Sequence, residues 1–219
     1  HNNCCKYFVN EIKHNILYNL YEVINMYRKY QAKIESAWEI LLDCDVKELP
    51  VSVCRISEFL GIPVVPYSRG GNLMRKIGVA GIAPTTDGLA SYVDNPVIFY
   101  NDALDADRCR VTVGHEIGHI ILRHVGPGTA TVINRPPSPC DNPVEVAANM
   151  FCQQLIAPTP ILISIGAIDN ENIEHVCHIT RRASKFIISR LRERGSDYIP
   201  QSELEKKLSE RFSSFIKNF

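Results

Sequence analysis

The spacing of apolar residues predicts helices toward both ends of the chain. From Phe8 to Leu42 apolar residues recur every three or four positions, which indicates two helices or one broken helix. Another helix follows Pro50, a residue suited to a first helical turn, and ends at Gly61. Helical spacing returns near the C-terminus, over residues 172–177, 181–194 and 202–219.

The middle of the chain has a different period. Short runs of β-branched and aromatic residues, separated by Gly, Pro, Asp and Asn, predict strands. Because their connections are short, we expect a small, mainly antiparallel sheet. The predicted strands cover residues 62–67, 76–83, 88–93 and 96–101.

Two further helices flank a long loop. The first follows Asp105 or Asp107, either of which can cap it, and runs to about His124. The second covers residues 144–156 and stops before Pro158. Residues 125–143 between them contain five prolines and no periodicity, which is typical of a functional lid.

These elements predict an α+β fold in which a small sheet packs on the helix that ends near residue 124. We divide the chain into an N-terminal helical segment, a core and a C-terminal helical region. Their boundaries are 1–49, 50–160 and 161–219.

Composition narrows the class of protein. The chain has 219 residues, 45% of them hydrophobic, which is enough for a substantial core. Its net charge of zero gives no field that would attract nucleic acid or an anionic membrane. No apolar run is long enough to cross a membrane, and the first residues lack the apolar core of a secretory signal. We therefore expect a cytoplasmic protein.

The eight cysteines are scattered and form no C-x-x-C pair. This spacing favours reduced thiols and argues against a zinc site made of thiolates.

The predicted helix before residue 124 carries the sequence H-E-I-G-H. His115 and His119 are four residues apart, so their imidazoles lie on one helical face and can converge on one metal ion. Glu116 points about a quarter-turn away, where it can act as a general base on the attacking water. Alone, the pattern also fits an ordinary amphipathic helix with its polar residues in water. A carboxylate on the next predicted helix favours the metal site.

A catalytic zinc needs a third protein ligand. Glu145 is the best candidate, because its helix is rich in small residues that permit close packing. His124 is an alternative but falls on the opposite face of a continuous helix, and His175 and His178 lie in the C-terminal helical region. Asn149, one turn after Glu145, is expected to accept the free N–H of a ligand imidazole.

These motifs resemble the ImmA/IrrE metallopeptidases of bacteria and their mobile elements. The resemblance implies a zincin-like, gluzincin-type peptidase core with Zn²⁺ as cofactor and a glutamate, here Glu145, as third ligand. It also implies an anti-repressor function in transcription regulation, by cleavage of a helix-turn-helix repressor of a mobile element or stress response. The matching segments are residues 56–62, 97–101, 110–122, 145–151 and 155–158.

The chain departs from the usual family pattern at two positions. Gly114 stands where alanine is commoner, and Cys152 stands where a small alanine is usual. Neither residue is expected to bind metal.

For the reaction we expect strand 96–101 to offer an edge to which the substrate peptide adds as a further strand. Glu116 would then pass the proton of the attacking water to the leaving amine. Tyr92, Tyr100 and His124 are candidates for contacts to the oxyanion or the substrate, and the sequence does not rank them.

Two other functions fit parts of the sequence. A metal-binding regulatory protein could bind its partner without proteolysis. A DNA-binding regulator could use residues 171–194, which imitate a helix-turn-helix and carry several basic residues. Basic residues on a helix are usually a solvated face, so we expect a protein substrate rather than nucleic acid or a membrane as partner. The oligomeric state is left open by the sequence.

Overall fold

The computed structural model describes residues 32–81, 85–127, 142–194 and 202–219. Most of the predicted N-terminal helical segment, most of the predicted loop and the last positions of the predicted strand 76–83 lie outside these ranges. The helices are α1 (32–43), α2 (Val53–Phe59), α3 (Tyr67–Lys76), α4 (Ala106–Ile121), α5 (Pro143–Ile156), α6 (Thr159–Ser164), α7 (Asn170–Cys177), α8 (Arg181–Arg194), α9 (Glu203–Arg211) and α10 (Ser213–Asn218). The strands are β1 (Val64–Pro66), β2 (Gly88–Tyr92) and β3 (Pro96–Tyr100).

The described strands form one mixed sheet in the order β1-β3-β2. Strand β1 pairs with β3 in parallel, with Val65 opposite Phe99. Strand β2 pairs with β3 antiparallel, with Ala90 opposite Ile98. The α+β class with flanking helices is confirmed, and one of its two ladders is parallel.

Strand β3 lies in the centre of this sheet, so the expectation that 96–101 offers an edge was wrong. Both sides of its backbone already pair with neighbouring strands. The lateral order of strands depends on the path of the chain between them, and the period-2 pattern carries no information about that path.

Helix α3 occupies a segment that was expected to lead from one strand to the next. The helix starts after Pro66, and residues 76–81 form no strand. Gly70 allows the helix to pack closely on the sheet, since a Cβ there would lie 3.1 Å from Cδ1 of Phe99. Glycine has a low helix propensity, so tertiary packing stabilises the helix at Gly70 and Gly71.

Helix α4 lies between the sheet and α5. Ile98 of β3, Ile117 of α4 and Phe151 of α5 are completely buried in one apolar cluster. The same cluster includes Trp38 of α1 and Phe212 at the start of α10. The three-part division of the chain stays a prediction, and all three parts contribute to this core.

Within the part of the chain that the structure describes, no helix is both long and apolar enough to cross a membrane.

Candidate metal centre

Helix α4 presents the three polar residues of the motif on buried faces. Its N-terminus is capped by Asp105, whose side chain accepts a hydrogen bond from the backbone N–H of Arg108 at 2.8 Å. His115, Glu116 and His119 are only 3%, 5% and 1% exposed. Polar groups buried to this degree require partners or a bound ion, so the interpretation as a solvated amphipathic face does not fit.

Helix α5 brings a carboxylate to the same place. Asn142 caps this helix by accepting from the N–H of Val144, Pro143 occupies its first turn, and Glu145 follows in that turn with 2% exposure. Close approach of the helices depends on Gly118 of α4, where a Cβ would lie 3.1 Å from the backbone oxygen of Ala148. The backbone contact leaves no room for a larger residue.

The donor atoms of His115, His119 and Glu145 converge. Nε2 of His115 lies 2.9 Å from Nε2 of His119 and 3.1 Å from Oε2 of Glu145, and Nε2 of His119 lies 3.4 Å from Oε1 of Glu145. Ligands about 2.0–2.1 Å from a tetrahedral zinc are roughly 3.3 Å apart. The three separations therefore match the edges of one face of a zinc coordination sphere.

The chemistry of the donors also fits a metal. Two imidazole nitrogens at 2.9 Å whose lone pairs face each other repel unless a proton or a cation lies between them. Two imidazoles and one carboxylate form a known ligand set of catalytic zinc. Among the described residues, these three potential metal ligands form one group, whose donor atoms all lie within 4.8 Å of one another.

The charge of Glu145 is held in place by the histidines. Burial by itself would raise the pKa of this carboxyl, but the neighbouring imidazoles of His115 and His119 outweigh burial and leave the pKa well below its ordinary value. The side chain is thus an anion at neutral pH, as a zinc ligand must be.

A family model described as the IrrE N-terminal-like domain, Peptidase_M78, matches residues 77–194. The match covers just over half of the 219 residues and contains α4, α5 and all three donors. The chain belongs to the IrrE N-terminal-like peptidase family. The family is one of metallopeptidases, in keeping with the buried His-His-Glu group, and it confirms the resemblance seen in the sequence. Searches of curated proteins and of solved structures found no match.

The catalytic base predicted for this IrrE-like domain lies beside the sheet. A Cβ on Gly88, the first residue of β2, would lie 3.6 Å from Cγ of Glu116 and 2.4 Å from Cγ2 of Thr112. A side chain at Gly88 would collide with α4, so glycine lets the edge of the sheet approach Glu116.

Asn149 lies one turn after Glu145 and is half-buried. Among the described residues Nδ1 of His115 has no hydrogen-bonding partner, and Nδ1 of His119 lies 3.1 Å from Nδ1 of His124. The structure thus brings His124, and not Asn149, to a ligand imidazole, and the role of Asn149 stays a prediction. Burial lowers the pKa of His124 to about 4, so its ring is neutral at neutral pH.

The two tyrosines named from the sequence lie on different strands, Tyr92 at the end of β2 and Tyr100 at the end of β3, and at opposite ends of the β2–β3 ladder. The backbone of Tyr100 pairs with Gly88, and that of Tyr92 pairs with Pro96 at the other end. Burial raises the pKa of the Tyr100 phenol, and Cys109 adds to this effect, which places the phenol near the N-terminal part of α4. Contact of either tyrosine with an oxyanion stays a prediction.

Sequence reasoning missed Tyr67 at the start of α3. Its hydroxyl lies 2.9 Å from Oγ1 of Thr86, two residues before Gly88. Burial raises the pKa of this phenol, and the negative charge of Glu116 raises it further. Tyr67 packs against the cluster of Met74, Val79, Leu89 and Phe99, and its phenol lies near enough to Glu116 for that charge to act on it. Only the tertiary fold shows this, because the sequence predicted residue 67 as the end of a strand.

Proposed function

We propose that the protein is a zinc-dependent endopeptidase that cleaves a helix-turn-helix repressor. The observation that carries the proposal is the convergence of His115, His119 and Glu145, with a second acidic residue, Glu116, buried next to them. Three protein ligands leave a zinc ion an open position for chemistry, whereas structural zinc sites are closed by four.

When bound, zinc supplies a Lewis acid that polarises the scissile carbonyl and acidifies the attacking water. His115, His119 and Glu145 would hold the ion. Glu116 would accept the proton of the attacking water and transfer it to the leaving amine. Burial of Glu116 beside β2 keeps bulk water away from this transfer.

The outer strand β2 would guide the substrate peptide. Since β3 is central, an added strand has to pair at an outer strand, and β2 is the outer strand whose first residue lies against Glu116. A peptide that pairs with β2 would run past the base and offer its backbone carbonyls to the metal. Main-chain pairing fixes the position of the peptide, and side-chain contacts determine which protein is cut.

A repressor as substrate is supported by the resemblance of the motif segments to the ImmA/IrrE metallopeptidases. Membership of the family supports a peptide bond as the target. The proposed protein is then an anti-repressor that relieves transcriptional repression by proteolysis in the cytoplasm.

The test uses the full chain loaded with zinc and a purified helix-turn-helix repressor. Glu116→Gln removes the base but no ligand, so we expect zinc binding to persist and the cleavage rate to fall about 10²–10⁴-fold. Glu58→Gln, which alters an exposed glutamate on α2, is the matched control and should cleave as the wild type does. Fragments are measured by mass spectrometry, with and without chelator.

Cleavage by Glu116→Gln at the wild-type rate would remove Glu116 from the mechanism. Stable complexes without fragments, unaffected by this substitution, would instead support a regulatory protein that binds its partner without cutting it.

A further inference from the structure

The end of helix α4 reverses the chain just after the motif. The helix ends at Ile121, Leu122 caps it, and Arg123 adopts a left-handed conformation with φ 56°. The backbone N–H of His124 donates to the oxygen of His119 at 2.8 Å, and that of Arg123 donates to the oxygen of Ile120 at 3.0 Å. These two bonds define a Schellman motif, which folds the next residue back along the last turn.

The motif places the ring of His124 directly behind that of His119. Their Nδ1 atoms are 3.1 Å apart, and their ring centroids are 5.1 Å apart at an interplanar angle of 65°. The other nitrogen of His119, Nε2, faces His115 and Glu145. The two nitrogens of His119 therefore have separate partners, one toward the metal site and one away from it.

The separate partners of the two ring nitrogens determine the tautomer of His119. A neutral imidazole whose Nε2 lone pair is directed at a metal keeps its proton on Nδ1. That Nδ1–H can be donated to Nδ1 of His124, which then carries its own proton on Nε2. His115 is different, because its buried Nδ1 has no such partner among the described residues.

We propose that His124 is a positioning residue of the metal centre, which accepts the Nδ1–H of His119 and holds its Nε2 toward the ion. This inference rests on the zinc site proposed above. An acceptor behind a ligand imidazole fixes the orientation of the ring and increases its basicity. The role differs from that of a third ligand and from that of an oxyanion contact, because the nitrogen of His124 meets the side of His119 that points away from the site.

The test compares zinc affinity in the wild type, His124→Ala and His124→Asn. Loss of an outer-shell partner weakens metal affinity about 10–100-fold, so we expect this loss for His124→Ala. The amide oxygen of asparagine occupies nearly the place of Nδ1, so His124→Asn should recover most of the affinity. His175→Ala, an exposed histidine on α7, is the control and should bind zinc as the wild type does. Dissociation constants come from competition with a chromophoric chelator, and thermal unfolding of the metal-free variants reports whether they are folded.

The outcomes separate this inference from the proposed function. Failure of the wild type to bind zinc overturns the metal centre itself. Wild-type zinc binding with unchanged affinity in His124→Ala, or with no recovery in a folded His124→Asn, overturns the role of His124 alone.

If His124→Ala does not fold, nitrogen NMR of the ¹⁵N-histidine-labelled wild type still decides the question. A coupling across the hydrogen bond between Nδ1 of His119 and Nδ1 of His124 in the zinc-loaded protein supports the proposal, and the absence of this coupling, or a deprotonated Nδ1 of His119, contradicts it.

Discussion

At the scale of single residues, Glu145 combines two properties that usually exclude each other. Its side chain is 2% exposed and yet ionised, because two imidazoles face its oxygens. A buried carboxylate without such partners would take up a proton instead. The residue is therefore placed for a cation that it shares with His115 and His119.

Replacing Glu145 with Gln keeps the volume and removes the charge. Loss of a residue that only hydrogen-bonds to a ligand weakens metal affinity about 10–100-fold. Because Glu145→Gln removes a direct ligand, we expect zinc affinity to fall by more than that. Chelator competition measures the change, with Glu58→Gln as the control. Unchanged affinity would exclude Glu145 from the ligand set.

The residues of the site differ in how far sequence predicts them. His115 and His119 follow from helical spacing alone, and Glu145 follows from the need for a third ligand on a helix that can pack closely. The partner of His119 could not be predicted, because the sequence was interpreted as one helix through His124 whereas Arg123 turns the chain. Tyr67 was missed because Thr86, which its hydroxyl contacts, and Glu116, whose charge acts on its phenol, are distant from it in the sequence.

At the scale of elements, the interface between α4 and α5 contains both departures from the family pattern. A Cβ on Gly114 would lie 3.1 Å from Sγ of Cys152 and 3.3 Å from Cγ2 of Ile156. On α4 a residue smaller than the usual alanine thus faces, on α5, a residue larger than the usual alanine. The two departures compensate for each other in volume, which the sequence could not show.

Gly114→Ala should therefore destabilise the fold by about 1–3 kcal/mol, through overpacking against Cys152. Cys152→Ala in the same chain should recover part of this loss, with a coupling energy of about 0.5–3 kcal/mol. Urea unfolding of the two single variants and the double variant measures the coupling.

The control for this cycle is Gly71→Ala in α3, where an added Cβ meets nothing within 4 Å. This change should stabilise the protein by about 0.4–1 kcal/mol, because it restricts the unfolded chain. Additive effects of Gly114→Ala and Cys152→Ala would refute the compensation.

The existence of β2, β3, α4 and α5 was predictable, because each has a clear period or capping residue. Asp105 and Asn142 occupy the N-cap positions of α4 and α5. The position of β3 inside the sheet and the helical state of α3 were not predictable, because both depend on contacts between distant segments.

At the scale of the whole molecule, the C-terminal helices are part of the apolar core on which α4 packs. Leu208 of α9 and Phe212 are completely buried, in the same cluster as Ile117 of α4. Trp38 of α1 joins this core through a hydrogen bond from Nε1 to Oε1 of Gln154 on α5 at 3.1 Å. Helices from both ends of the described chain thus brace the site.

Phe212→Ala should lower the free energy of unfolding by about 3–5 kcal/mol, since it leaves a cavity in this core. Phe219→Ala, at a position that is 61% exposed, is the control and should change stability by less than about 0.5 kcal/mol. Fluorescence of Trp38, the one tryptophan of the chain, and circular dichroism should report a single shared transition. Two separate transitions would show that the C-terminal helical region unfolds independently.

The left-handed turn at Arg123 has a consequence for recognising such sites in uncharacterised genomes. On an uninterrupted helix, residues five apart point about 140° away from each other, so a scan based on helical periodicity discards a histidine at that distance. When the helix ends two residues after the second histidine of H-E-x-x-H, the same spacing brings the rings together. The pattern H-E-x-x-H-x-x-x-x-H can therefore be searched for as a signature in its own right, with the helix stop as its structural requirement.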